Sequence, residues 1–308
     1  MVVGFFYRKN LFMDLIGLVA GIISSITWGT VFIFGKIAVE KGNCHPILLS
    51  FIRFLSASIF LAFSMFFTRE KFKIEKREIF DFFILGATGI LGMNVFIFYS
   101  VKFAPSSSTS ILMNTNAFLI GIFGHFMLKE KVAVKEILGI LVGFLGCYFI
   151  ISQGSFSLHP FFLGNLLTFL AAICWAFYTV WGKKKKLIKK YGPISSTFWA
   201  SVFGTILLGL TLLFFKIPFY REKIGLIIGI YLGIIPAGIG FTLWFFAIQR
   251  LKTITAGILQ FLAPLTTVVI AVLWFNETLS SYTIIGGILI LTGVIFPLLK
   301  FPDRKQSF

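Results

Sequence analysis

Ten stretches of this chain are apolar enough and long enough to cross a lipid bilayer. A helix rises about 1.5 Å per residue, so about 20 apolar residues span the hydrocarbon core. The candidate spans are 15–37, 46–67, 79–101, 106–128, 136–152, 163–182, 193–215, 224–248, 256–275 and 283–299. The connections are too short to hold a soluble domain. Backbone groups in lipid must be satisfied within a helix or a closed barrel. The period-two alternation of a barrel strand is absent. The expectation is an all-α integral membrane protein with ten transmembrane helices. The first stretch carries a basic flank like a signal peptide, but its apolar run is too long for one.

Composition excludes the alternatives. Of the 308 residues, 58% are hydrophobic and 13% charged, with a mean hydropathy of +0.97. Soluble domains are about 45–50% apolar and about 25% charged. A soluble enzyme, a disordered chain and a nucleic-acid module are therefore ruled out. Cys44, Cys147 and Cys174 form no CxxC pair and no metal-ligand spacing, which reads as buried free thiols with no metal and no cofactor.

The net charge of +17 reflects loops rather than a nucleic-acid partner. One set of connections carries 21 Lys and Arg residues: the N-terminus, 68–78, 129–135, 183–190, 250–252 and the C-terminal tail. The opposite set carries six: Lys36, Lys41, Lys102, Lys216, Arg221 and Lys223. Basic loops stay on the cytoplasmic side. Both termini are thus expected in the cytoplasm, with the protein in the cell membrane. The run Lys183-Lys184-Lys185-Lys186-Leu187-Ile188-Lys189-Lys190 reads as topology setting plus attraction to anionic membrane lipid.

Laying residue i over residue i+147 aligns pairs without a gap. Trp28 meets Trp175, Gly35-Lys36 meets Gly182-Lys183, and Pro46-Ile47 meets Pro193-Ile194. Glu130 meets Glu277, Gly139 meets Gly286, and Gly146 meets Gly293. Hydrophobic bias alone does not align Trp, Pro, Glu and Gly at one offset. Each repeat holds five spans, so the second enters the membrane with reversed polarity. The predicted domains are 15–152 and 163–299, two inverted five-helix repeats. Inverted repeats are a frequent transporter design, with the substrate held near mid-membrane between the halves. A small-molecule carrier working by alternating access is the reading this supports.

The motifs resemble the drug/metabolite transporter superfamily, in particular its ten-helix EamA-like members. Trp28-Gly29-Thr30 followed by Lys36 is similar to that family's opening signature. Residues 171–178, Ala-Ala-Ile-Cys-Trp-Ala-Phe-Tyr, resemble the opening of its second domain. Pro264, Glu277-Thr278-Leu279, Gly286 and Gly293-Val294 resemble the closing signature, and Glu130, Gly139 and Gly146 close the first half. The resemblance covers residues 15–299 and implies a secondary transporter of small polar metabolites, often an exporter of amino acids or related compounds. It does not imply an enzyme. The family often has Pro in the fourth helix, where this chain has Ala117 within Asn114-Thr115-Asn116-Ala117. The two Asn side chains are an alternative means of loosening that helix.

Polar residues inside the spans are the candidate binding groups. A charge near the bilayer centre costs about 2.5–3.5 kcal/mol on insertion scales. Arg53 is either a counter-charge for an anionic substrate or a structural residue that snorkels outward or bonds helix carbonyls, and the structural reading is favoured. Asn94, Asn114, Asn116 and Gln260 are uncharged amides able to bind a zwitterion, or to bridge helices at about 0.6 kcal/mol each. Ser106, Ser110 and Asn114 form one polar stripe. Trp28 and Trp175 lie mid-span, too deep for an interfacial belt. With Tyr178 and Trp244 they are candidates for an aromatic lining, and Thr168 shares the face of Trp175 and Tyr178. The expected substrate-binding set is Trp28, Asn94, Asn114, Trp175, Tyr178, Trp244 and Gln260.

His125 reads as a packing residue, and Asp81 as the start of the third span at the cytoplasmic face. Glu130 and Glu277 lie at helix ends on opposite faces, where ion pairing or gating is expected. No carboxylate lies at mid-depth in any span, which favours facilitated flux or exchange over tight proton coupling. The alternatives are a nucleotide-sugar or lipid-linked solute carrier of the same superfamily, a channel, or an intramembrane enzyme. The first would want several basic residues in spans and finds one well inside. The last would want a buried Ser–His or paired Asp arrangement, which is missing.

Overall fold

A computed structural model describes residues 2–68, 70, 72–129, 134–154, 160–219, 223–248, 259–260 and 262–296. The described residues are helical with short connections. The helices are α1 (Val2–Glu40), α2 (Pro46–Thr68), α3 (Ile79–Leu85), α4 (Met93–Phe103), α5 (Ser106–Met113), α6 (Asn116–Leu128) and α7 (Val134–Ser152). The second half holds α8 (Phe162–Lys184), α9 (Leu187–Tyr191), α10 (Pro193–Phe214), α11 (Lys223–Leu232), α12 (Phe241–Ile248), α13 (Leu262–Phe275) and α14 (Ser281–Ile295). Two π-helical segments, Gly86–Gly92 and Gly233–Gly240, join α3 to α4 and α11 to α12.

Among the described residues, seven helical stretches are long and apolar enough to cross a membrane. Three shorter apolar helices, Ile137–Ser152, Leu262–Phe275 and Ser281–Gly293, accompany them. Large apolar side chains such as Phe66, Phe126, Leu213, Phe214 and Trp274 are exposed, the reverse of a soluble surface. This is an integral membrane protein. The first of these stretches, Leu15–Glu40, starts at the expected residue 15, within a helix that begins at Val2. The start expected for the ninth span, residue 256, lies outside the described residues, as does Glu130.

The helices pack through small residues. A Cβ on Gly233 would overlap the backbone carbonyl of Arg53, so only glycine lets the second π segment lie against α2 at that level. On α7 and α14 the contact is reciprocal. A Cβ on Gly146 would lie 2.6 Å from the Gly286 carbonyl oxygen, and one on Gly286 would lie 2.6 Å from that of Gly146.

The fourth candidate span is broken between α5 and α6, without a proline. Asn114 and Thr115 form a turn, their N–H groups donating to Ile111 and Leu112 at 3.1 Å rather than one residue further back. The asparagine amides occupy carbonyls that the ladder releases. Asn114 Nδ2 donates to the Ser110 carbonyl at 3.0 Å, and Asn116 Nδ2 to that of Met113 at 2.7 Å. A buried carbonyl left without a donor in lipid would be costly, so the two side chains make the break affordable.

Candidate functional site

The break in α5–α6 faces an internal cavity. Its deeper chamber has a volume of about 120 Å³ and is lined by Trp28, Arg53, Ser110, Asn114, Asn116, Trp175, Phe241 and Gln260 among others. A wider chamber of about 570 Å³ shares Asn116, Trp175, Phe241 and Gln260 with the first. It adds Tyr178 and Trp244, and reaches Lys183, Lys186 and Lys189. Those lysines are exposed, so the wide chamber opens at the lysine-rich end.

Six of the seven expected binding residues line these chambers: Trp28, Asn114 and Gln260 the deep one, Trp175 both, and Tyr178 and Trp244 the wide one. Gln260 also reaches the wide chamber. Their rings form one aromatic wall. Trp28 packs on Trp244 at 5.2 Å and on Phe241 at 5.4 Å, and Trp175 stacks on Tyr178 at 5.2 Å. The Trp28 indole donates to the Pro236 carbonyl at 3.1 Å, which fixes the ring against the second π segment. Phe241 bridges Trp28 and Trp175, a position that hydropathy alone does not single out.

Asn94 is the exception. It is buried behind the wall, where its amide donates to the Gly89 and Ile90 carbonyls and its Oδ1 accepts from Arg53 Nη1 at 2.8 Å. Those carbonyls belong to the π segment, and a sequence pattern does not reveal a π turn. Thr168 is also buried away from the chambers, bonded to Ser100 at 2.6 Å and to the Gly164 carbonyl. Arg53 is 4% exposed, so it does not snorkel outward, and among the described residues its hydrogen-bond partner is the Asn94 amide rather than a helix carbonyl.

The other end is closed by an ion pair. Lys36 Nζ lies 2.8 Å from Glu277 Oε1. The same carboxylate caps α5, accepting from the Ser106 and Ser107 amides at 3.2 and 3.3 Å and from Ser107 Oγ at 3.0 Å. Burial raises the Glu277 carboxyl, but the Lys36 hydrogen bond and charge, with the two amides, outweigh it and hold it below its ordinary value. Ser106 Oγ donates to the Phe32 carbonyl at 3.4 Å, so the closure sits directly over the deep chamber. Along α5–α6, Ser106 marks the closure, Ser110 and Asn114 the deep chamber, and Ile120 the wide one. Nearby, His45 bonds Tyr99 at 3.2 Å, and burial and Lys102 lower its pKa. At the lysine-rich end, Asp81 accepts from the Trp181 indole at 3.1 Å and pairs with Lys185. His125 packs edge-on against Phe126, away from the residues that line either chamber.

A cavity that opens toward the lysine-rich end, with the Lys36–Glu277 ion pair beyond its other end, within a bundle of apolar helices, suits a carrier. Comparison with known proteins gives the same answer: the model of the EamA-like transporter family matches residues 15–152 and, a second time, 162–299. The chain belongs to the EamA-like transporter family. An uncharacterized transporter of Archaeoglobus fulgidus is 29% identical to this EamA-like chain, covering 88% of it and 93% of the relative. A probable amino-acid metabolite efflux pump of Salmonella typhimurium is 24% identical, covering 92% and 94%. Its Escherichia coli counterpart of the same description is 23% identical, covering 93% and 96%. A protein of known crystal structure superposes with a TM-score of 0.66 at 20% identity, over 96% of this EamA-like chain and 99% of the other, a likeness of fold.

Proposed function

We propose that this membrane transporter exports small polar metabolites, amino acids or their relatives, by alternating access between two inverted five-helix repeats. The observation that carries the reading is the cavity: an aromatic and amide wall, open toward Lys183 and sealed by Lys36 and Glu277. That arrangement is one end state of a carrier, whereas a channel conducts through a pore open at both ends.

Several features support the inverted halves, 15–152 and 163–299, and their ten spans. The π segments begin at Gly86 and Gly233, residues paired at the offset of 147. Gly146 meets Gly286 while Gly293 meets Gly139, so each contact is the image of the other under exchange of the halves. The family model matches twice. The description of the Salmonella and Escherichia relatives as probable amino-acid metabolite efflux pumps supports the substrate class and direction. The distribution of Lys and Arg supports the cell membrane with both termini cytoplasmic.

Uptake and counterflow in proteoliposomes, against a panel of amino acids and metabolites, test this function. Saturable counterflow of a panel member is expected, and it persists when the pH gradient is collapsed. Unitary conductance in a planar bilayer, with no counterflow, would overturn it in favour of a channel. Among the described residues, those lining the two chambers include no Asp or Glu, which supports transport without a proton relay.

A further inference from the structure

We propose that Arg53 is the substrate's counter-ion, and that this carrier takes organic carboxylates with an apolar or aromatic body in preference to neutral or cationic analogues. The inference rests on the transport reading and narrows its substrate class.

Arg53 lines the deep chamber and is 4% exposed. A guanidinium stays protonated even when buried. Among the described residues its hydrogen-bond partner is Asn94 Oδ1, a neutral oxygen, and its Nε is buried with no partner. The group also lies over the rings of Phe54 and Phe98, at 5.2 and 5.8 Å from their centroids. These contacts orient the cation but do not neutralise it. A buried charge without an opposite charge is expensive, and a protein retains one where a ligand completes it. Among the described residues neither chamber has a carboxylate on its wall, so the charge is left for a solute.

The fork is held ready. Asn94 is anchored to the Gly89 and Ile90 carbonyls at 3.1 and 3.0 Å, and so presents its oxygen to Nη1 from a fixed position. Carboxylates pair with guanidinium groups through two parallel hydrogen bonds, and a preset fork loses little freedom in making them. The rest of the chamber suits what a carboxylate is attached to. Trp28, Trp175 and Phe241 offer apolar faces, Gln260 offers neutral donors and an acceptor, and Asn114 offers its Oδ1. An amino acid fits with its ammonium on an amide oxygen or an indole face, but that contact is optional, whereas the carboxylate is not. Lys183, Lys186 and Lys189 at the mouth raise the local concentration of anions and repel cations.

The test uses four probes that share one ring: phenylalanine, N-acetylphenylalanine, N-acetylphenylalaninamide and phenylalaninamide. Binding to the purified full-length protein in nanodiscs is read from tryptophan fluorescence, since Trp28 and Trp175 line the chamber. Wild type should bind the two carboxylates at least tenfold more tightly than the two amides. Arg53→Gln should reduce that preference below twofold, and Arg53→Lys, which keeps the charge and loses the fork, should fall between. Melting temperature and gel filtration identify a variant that has not folded. Should both variants fail there, the wild-type ratio of carboxylate to amide alone decides. Equal binding of carboxylates and amides by wild type would overturn the inference. So would a folded Arg53→Gln protein that keeps the full preference. Saturable counterflow of the amides with none of the carboxylates would remove the role of Arg53 and leave transport standing. Absence of counterflow for these probes and for a broad metabolite panel would remove both.

Discussion

Glu277 is a carboxylate with four hydrogen bonds or ion-pair contacts, drawn from α1 and the first turn of α5. Charge-assisted hydrogen bonds of this kind contribute about 1.5–3 kcal/mol each. Glu277→Gln removes the charge that Lys36 and the helix end both use, so the closed end should open more often. A cysteine at the deep chamber (Ser110→Cys, with the native cysteines replaced) should react with an impermeant thiol reagent from the Lys36 side at least tenfold faster in that background. An unchanged rate would show that the pair does not hold the closure. The pH behaviour follows from two shifts. The Glu277 carboxyl is depressed, so its contribution is complete above the ordinary carboxylate pKa of about 4.3 and is lost as pH falls through its lower folded value. His45 is depressed by burial and by Lys102, so its neutral form is native, and a cost develops as pH falls below the ordinary value of about 6.5. The same labelling rate in the wild-type closure, divided by the thiolate fraction at each pH, should therefore be flat between about pH 7 and 8, and rise modestly toward pH 5. Within the wall, Trp175→Ala and Asn114→Ala should each raise the half-saturation concentration of counterflow about tenfold, as expected when a stacked ring or a chamber amide is lost. Wild-type values in both would show that the solute sits elsewhere.

Among the elements, the helices were the most legible part, because a run of about 20 apolar residues has one stable solution in lipid. The π segments were not legible. Gly86, Gly89 and Gly92 announce close packing in the sequence, but an extra residue per turn leaves no periodic trace over seven positions. That omission explains the misplacement of Asn94. On a regular helix it reads as one more inward-facing amide, whereas beside the π segment it bonds the Gly89 and Ile90 carbonyls and turns to Arg53. Arg53 itself was visible as a charge in a span, but neither its partner nor its depth can be read from one chain position. The break at Asn114 was half legible: the amide pair was evident, and the carbonyls it serves were not. This break carries its own prediction. Ala117 is the second residue of α6, in a first turn where backbone N–H groups lack intrahelical partners. Proline is tolerated there. Ala117→Pro should melt within about 4 °C of wild type, a shift that corresponds to about 1 kcal/mol or less, and should retain counterflow. A collapse of either would mean that the helix runs through the break during transport.

For the whole molecule, the offset of 147 makes a claim about direction that no single contact carries. Two halves of odd span number must enter the membrane with opposite polarity, and so residues at matched places near the ends of matched helices must face opposite compartments. Lys41, just after α1, and Lys184, at the end of α8, are not paired by the offset but lie at the corresponding ends of these two matched helices, and both are exposed. Single cysteines at these places (Lys41→Cys and Lys184→Cys, with the native thiols removed) provide the test. In intact cells an impermeant maleimide should label the first and spare the second. In inside-out vesicles the pattern should reverse. Tags at the two termini should both be protected in cells, since the side that holds Lys184 also holds the greater share of Lys and Arg. Labelling of both cysteines from one side would make the halves parallel. In that case the matched Gly146–Gly286 and Gly139–Gly293 contacts would have to arise without a two-fold axis in the membrane plane. The sealed and open ends of the cavity would then no longer be interchangeable, and a carrier that works by exchanging them would lose its structural basis.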